Sequence, residues 1–83
     1  GLPEGGSTAS LTVYPNPTTG LLNIRSDASG LMKVEVTDLL GAIVRRGSFT
    51  GRTTMDLSGL APGLYNVRVS HTHGTVVERV TLH

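Results

Sequence analysis

Met32-Lys33-Val34-Glu35-Val36-Thr37 decides the fold of this chain. Apolar and polar side chains alternate along it, so Met32, Val34 and Val36 share one face and Lys33, Glu35 and Thr37 the other. A period of two belongs to a half-buried β-strand, because successive side chains of an extended chain point to opposite sides. Asp38-Leu39-Leu40-Gly41 ends the run. Gly41 suits the left-handed position of a type I turn with a bulge, which predicts a hairpin into a second strand over 42–48.

The pattern extends in both directions. Upstream, Leu22 and Ile24 oppose Asn23 and Arg25 in a strand over 21–25, and 26–30 is a turn cluster. Before it, Leu11 and Val13 alternate with Thr12 and Tyr14 until Pro15 and Pro17 stop the strand. Each proline disfavours helix in the residue before it, so Tyr14-Pro15-Asn16-Pro17, with Thr18-Thr19-Gly20, reads as a rigid corner. Downstream, Thr53, Met55 and Leu57 give a fifth strand facing the core. In the polar loop that follows, Leu60 is expected as a plug turned back into the core. Gly63, Tyr65, Val67 and Val69 then alternate with Leu64, Asn66, Arg68 and Ser70. Thr72-His73-Gly74 turns the chain, and Val76, Val80 and Leu82 supply the last strand. Seven short strands between turn signals predict an all-β, seven-stranded antiparallel Ig-like β-sandwich with no helix.

Eighty-three residues make one small domain. Gly1–Ser10 has three Gly, one Pro, two Ser and no apolar period, and reads as a flexible linker before a domain over 11–83. Only Phe49, Tyr14 and Tyr65 are aromatic, so the core must be built from Val, Leu and Ile. With no cysteine there is no disulfide and no thiolate chemistry. No apolar run approaches the ~20 residues of a membrane span. A net charge of +1, with only Arg45 and Arg46 adjacent among the basic residues, argues against nucleic acid and for an ordinary solvated face.

Chemistry finds little to work with. His71 and His73 flank the predicted last hairpin turn and His83 is the final residue, solvent-facing places far from a nucleophile–base arrangement. His71-x-His73 puts two imidazoles on one side, but no accompanying carboxylate pattern supports a metal site. The carboxylates stand at turns or on polar strand faces, without the clustered Asp-x-Asp run of a calcium loop. Neither enzyme, metal nor cofactor is expected. A carbohydrate-binding or adhesin-spacer sandwich is the alternative, weakened by the absence of Trp platforms.

Four motifs occur in a telling order. They are Tyr14-Pro15-Asn16-Pro17; the apolar strand Leu22-Asn23-Ile24; Val34 and Val36 with Asp38 and Gly41, and Val44 after them; and the block Asp56-Leu57-Ser58-Gly59-Leu60-Ala61-Pro62-Gly63-Leu64-Tyr65. In that order they resemble the C-terminal sorting domains, type A, of the type IX (Por) secretion system of Bacteroidetes. The chain departs from the pattern at one point: many relatives carry a basic residue very near the terminus, whereas here the close is Arg79-Val80-Thr81-Leu82-His83, so that either Arg79 takes that role or the domain is a divergent member.

The resemblance implies a secretion signal on a larger protein. An N-terminal cargo domain would precede it in the precursor, pass through the periplasm and reach the outer membrane and cell surface, anchored or secreted. Its implied partners are the type IX translocon and an outer-membrane sortase complex that would cut within Gly1–Ser10. Apart from the resemblance, the edges that a small sandwich leaves open point to strand pairing along Thr75–Leu82, with Arg68, Glu78 and Arg79 read by side chain; the alternative is an internal last strand that serves only folding.

Overall fold

The computed structural model describes residues 11–72 and 74–83. Seven strands run in order: β1 Leu11–Tyr14, β2 Leu21–Ser26, β3 Met32–Thr37, β4 Ile43–Phe49, β5 Arg52–Asp56, β6 Gly63–His71 and β7 Gly74–Leu82. They form an antiparallel three-stranded sheet, β1-β2-β5, and an antiparallel four-stranded sheet, β4-β3-β6-β7. Among the described residues only β3–β4 and β6–β7 are tight hairpins; β2–β3, β4–β5 and β5–β6 cross between sheets, as in Ig-like sandwiches. The expected linker over 1–10, and His73, lie outside the described residues.

Alternation places the core. Leu22 and Ile24 from one sheet meet Met32, Val34, Val36, Val67, Val69 and Val80 from the other, all buried. Phe49 closes the layer beside Met32, its cross-strand partner. Tyr65, 6% exposed, donates its hydroxyl to the Ala61 carbonyl four residues upstream. That bond is the tyrosine corner of Ig-like folds, tying the loop before β6 to the strand itself.

Leu57 and Leu60, both expected at the core, reach it to different depths. Leu60 is only half-buried, whereas Leu57, just past β5, is fully buried. The backbone explains it: the Leu57 N–H bonds the Gly20 carbonyl at 2.8 Å, which holds the chain in the sheet direction one residue beyond β5 and turns its side chain inward.

The β3–β4 turn has the predicted form. The Gly41 N–H reaches the Asp38 carbonyl at 3.1 Å with Gly41 at φ +88°, and Asp38 Oδ1 accepts the N–H groups of Leu40 and Ala42 at 2.9 Å. A second irregularity follows, because Val36 pairs with Arg45 while Thr37 pairs with Ile43, leaving Val44 as an extra residue. The bulge rotates Arg45 to the core-facing side of the edge strand, where an unbulged register would have put Val44.

Candidate functional site

Three of the four motif segments meet at one end of the sandwich, and Leu22-Asn23-Ile24 leads away from it within β2. The corner joins β1 to β2 there, the Asp38–Gly41 turn joins β3 to β4, and the Asp56–Tyr65 block carries β5 into β6. The registers fix this: Leu21 pairs with Asp56, Thr37 with Asn66, and Gly63 with Leu82. Leu11, from which the preceding segment departs, pairs with Ser26 at the opposite end.

The corner is stitched to the last strand. Asn16 Nδ2 donates to the Arg79 carbonyl at 3.1 Å and Asn16 Oδ1 accepts the Thr81 N–H at 2.9 Å. Two residues on, the Thr18 N–H bonds the Thr81 carbonyl and the His83 N–H bonds the Thr18 carbonyl, both at 2.9 Å. Thr18 is 1% exposed, and its hydroxyl donates to the Leu21 carbonyl at 2.6 Å while accepting the Gly20 N–H at 3.1 Å. Every polar atom of this buried residue is satisfied, as burial requires. Both X–Pro bonds, Tyr14–Pro15 and Asn16–Pro17, are cis.

These contacts divide the outer edge of β7. The N–H and C=O of Thr81 and the C=O of Arg79 point away from β6 and are taken by the corner. The β6–β7 register is unbroken, so period-two alternation aims the backbone groups of Val77 and Thr75 outward as well. The edge expected to run open from Thr75 to Leu82 is thus covered over its second half. Glu78, opposite Val67 on the core-facing side, is an exposed inward charge of the kind that blunts an edge strand.

The third block is held from across the sandwich. Asp56 Oδ1 accepts the Ser58 N–H at 2.8 Å. The Ser58 hydroxyl hydrogen bond, foremost, then that N–H and the Arg45 charge hold the Asp56 carboxyl below its ordinary 3.8. Arg45 Nε donates to the Asp56 carbonyl at 3.1 Å, and another guanidinium nitrogen to the Ser58 carbonyl at 3.2 Å. Arg45 is half-buried and clamps β4 of one sheet to the end of β5 in the other, so it is not the solvated charge its Arg-Arg context suggests. Its inward turn depends on the bulge at Val44, which a hydropathy pattern does not carry.

Among the remaining motif residues, Val34, Val36, Leu57 and Tyr65 are buried and set shape, whereas Pro15, Asn16, Pro17, Gly41, Ser58, Gly59, Pro62, Gly63 and Arg79 are exposed. Tyr14 is 44% exposed beside the corner, and Leu60 packs against the core edge. His71 closes β6, half-buried. Among the described residues no three His, Cys, Asp or Glu gather closely enough to hold a metal ion. The basic residues are less scattered than the sequence suggests. Lys33, Arg46, Arg68 and Arg79 share the outer face of the four-stranded sheet.

A protein-family model described as a secretion system C-terminal sorting domain matches residues 12–83. No curated protein matches the chain.

Proposed function

From the premise that this chain belongs to the family of secretion system C-terminal sorting domains, we infer that the machinery reads the motif-bearing end of the folded sandwich. The domain is a non-catalytic secretion signal of a cargo protein in the Por, or type IX, system, and recognition by that system carries the cargo to the cell surface or out of the cell. The observation that carries our reading is the convergence of the corner, the Asp38–Gly41 turn and the Asp56–Tyr65 block around the C-terminal half of β7, while Leu11 leaves from the far end.

That polarity suits a signal that is grasped at one end and tethered to cargo at the other. On this reading the translocon contacts the exposed corner, the Asp38–Gly41 turn, the Ser58–Gly63 loop and Arg79. The buried motif residues act by holding those surfaces in place. A sortase complex at the outer membrane cuts in the segment over 1–10, after the cargo has crossed the periplasm. The fit of the corner, the turn and the third block to the type A pattern supports that subtype and a Bacteroidetes source.

The test fuses Gly1–His83 to a periplasmic reporter in a type IX-competent host. Surface delivery that is lost on deleting 11–83, and lost in a host lacking the translocon, is the expected result. Delivery of the reporter without this tail overturns the reading.

A further inference from the structure

We propose that the β3–β4 tip and the outer face of the four-stranded sheet dock this domain onto an anionic lipid surface. Leu39-Leu40-Gly41-Ala42-Ile43 is a run of five exposed residues without one polar side chain. Leu40 is 94% exposed, Leu39 62% and Ile43 43%. An exposed apolar run of this length signals an interaction unless the fold needs it, and the fold does not. The turn is built by the Asp38 carboxylate and the Gly41 backbone, and neither leucine belongs to the core or packs against it.

The charges beside the tip say what covers it. Cross-strand pairing sets Ile43, Thr37, Asn66 and Arg79 in one row of the outer face, and Arg46, Glu35, Arg68 and Val77 in the next. Lys33 lies in the row beyond. Rows on one face repeat about every 7 Å, so three arginines stand within roughly two rows of the tip. That distance is on the order of the Debye length in physiological salt. Four cations on this face stand against Glu35, and the one acid at the tip, Asp38, is engaged by the Leu40 and Ala42 N–H groups; spread over three rows, the cations do not gather around a single anion. They suit a fluid layer of negative headgroups, to which each basic residue near the surface adds attraction. The leucines project from an exposed turn, and soft acyl chains accommodate them without a matching cavity.

The chain has no tryptophan, so Leu40→Trp supplies a single fluorescent reporter at the tip. The probes are vesicles of phosphatidylcholine alone and of phosphatidylcholine with about one-third phosphatidylglycerol, in about 0.1 M salt. The 83-residue chain should sediment with the anionic vesicles and not with the neutral ones, and in the Leu40→Trp variant the indole emission should shift to the blue. Leu39→Ser with Leu40→Ser should weaken partitioning at least about tenfold, and so should Arg46→Glu with Arg68→Glu. All four are exposed positions, so far-UV circular dichroism should be unchanged. No association with anionic vesicles, or association without a blue shift of the introduced indole, overturns the proposal. So does a double-Ser variant that binds vesicles normally yet fails in export, which would give the tip to a protein partner. The vesicle readout needs no secretion machinery, so its failure leaves the sorting function standing.

Discussion

Asn16 stands against Thr81 as a peptide group would, its side-chain oxygen accepting the Thr81 N–H at 2.9 Å across 65 residues of sequence. Its nitrogen meanwhile feeds the Arg79 carbonyl, so one carboxamide replaces a neighbouring strand along β7. Asn16→Ala removes both bonds and should lower unfolding free energy by about 1 kcal/mol in urea titration. Asn16→Asp should cost more, because a carboxylate then faces the Arg79 carbonyl. Amide exchange at Thr81 should quicken in both variants before any global unfolding.

Thr18 is the buried half of the same stitch. Thr18→Val is nearly isosteric but strands the Gly20 N–H and the Leu21 carbonyl away from water. It should destabilise by about 1–3 kcal/mol. Thr18→Ser keeps the hydroxyl and should recover most of that loss. Equal stability of Val and wild type would show that water reaches the site.

Strand order and core were legible because alternation is a local property. Met32, Val34, Val36, Tyr65, Val67 and Val69 declare their face in consecutive residues. The corner was legible through its prolines. What could not be read were contacts made across the sheets by residues whose neighbours look polar. Arg45 turns inward where Val44 is bulged, and Leu57, whose inward face was legible, is held past the end of β5 by an amide that reaches Gly20. The cover over β7 was hidden for the same reason, since Asn16 reads as a turn residue and its partners lie more than sixty positions away.

That ranking of the two leucines is measurable. Leu57→Ala empties a fully buried site and should cost about 2–5 kcal/mol, a large share of the roughly 4–12 kcal/mol expected for a domain of this size. Leu60→Ala, at a half-buried position, should cost less than half as much. Chemical denaturation of the pair decides it, and a larger loss for Leu60→Ala would reverse the assignment.

Asp56 links the Arg45 clamp to pH. Its folded carboxyl titrates below 3.8, so the unfolded chain takes up that proton more readily. The resulting stabilisation is complete above the unfolded value and is lost as pH falls through the lower folded one. Wild type should therefore exceed Asp56→Asn by a constant margin above about pH 5, shrinking as pH drops. Arg45→Lys should shrink the margin at neutral pH as well, since an ammonium cannot serve the Asp56 and Ser58 carbonyls in Arg geometry. A margin independent of pH would remove the carboxylate from the account.

The last prediction separates folding from reading along β7. Val77 aims its N–H away from β6, so Val77→Pro deletes no ladder bond, and proline is tolerated on the open side of an edge strand. Val76→Pro or Glu78→Pro, one residue either way, removes an N–H that faces β6 and should unfold the hairpin. If the machinery adds a strand to the uncovered first half of this edge, Val77→Pro should fold with a near-native melting temperature and yet fail to deliver a fused reporter to the cell surface. Val77→Thr, which keeps the N–H, should be exported like wild type. Normal export of a folded Val77→Pro variant would confine recognition to the corner, the turn and the loops at the far end of β7, where the edge is already occupied by Asn16 and Thr18.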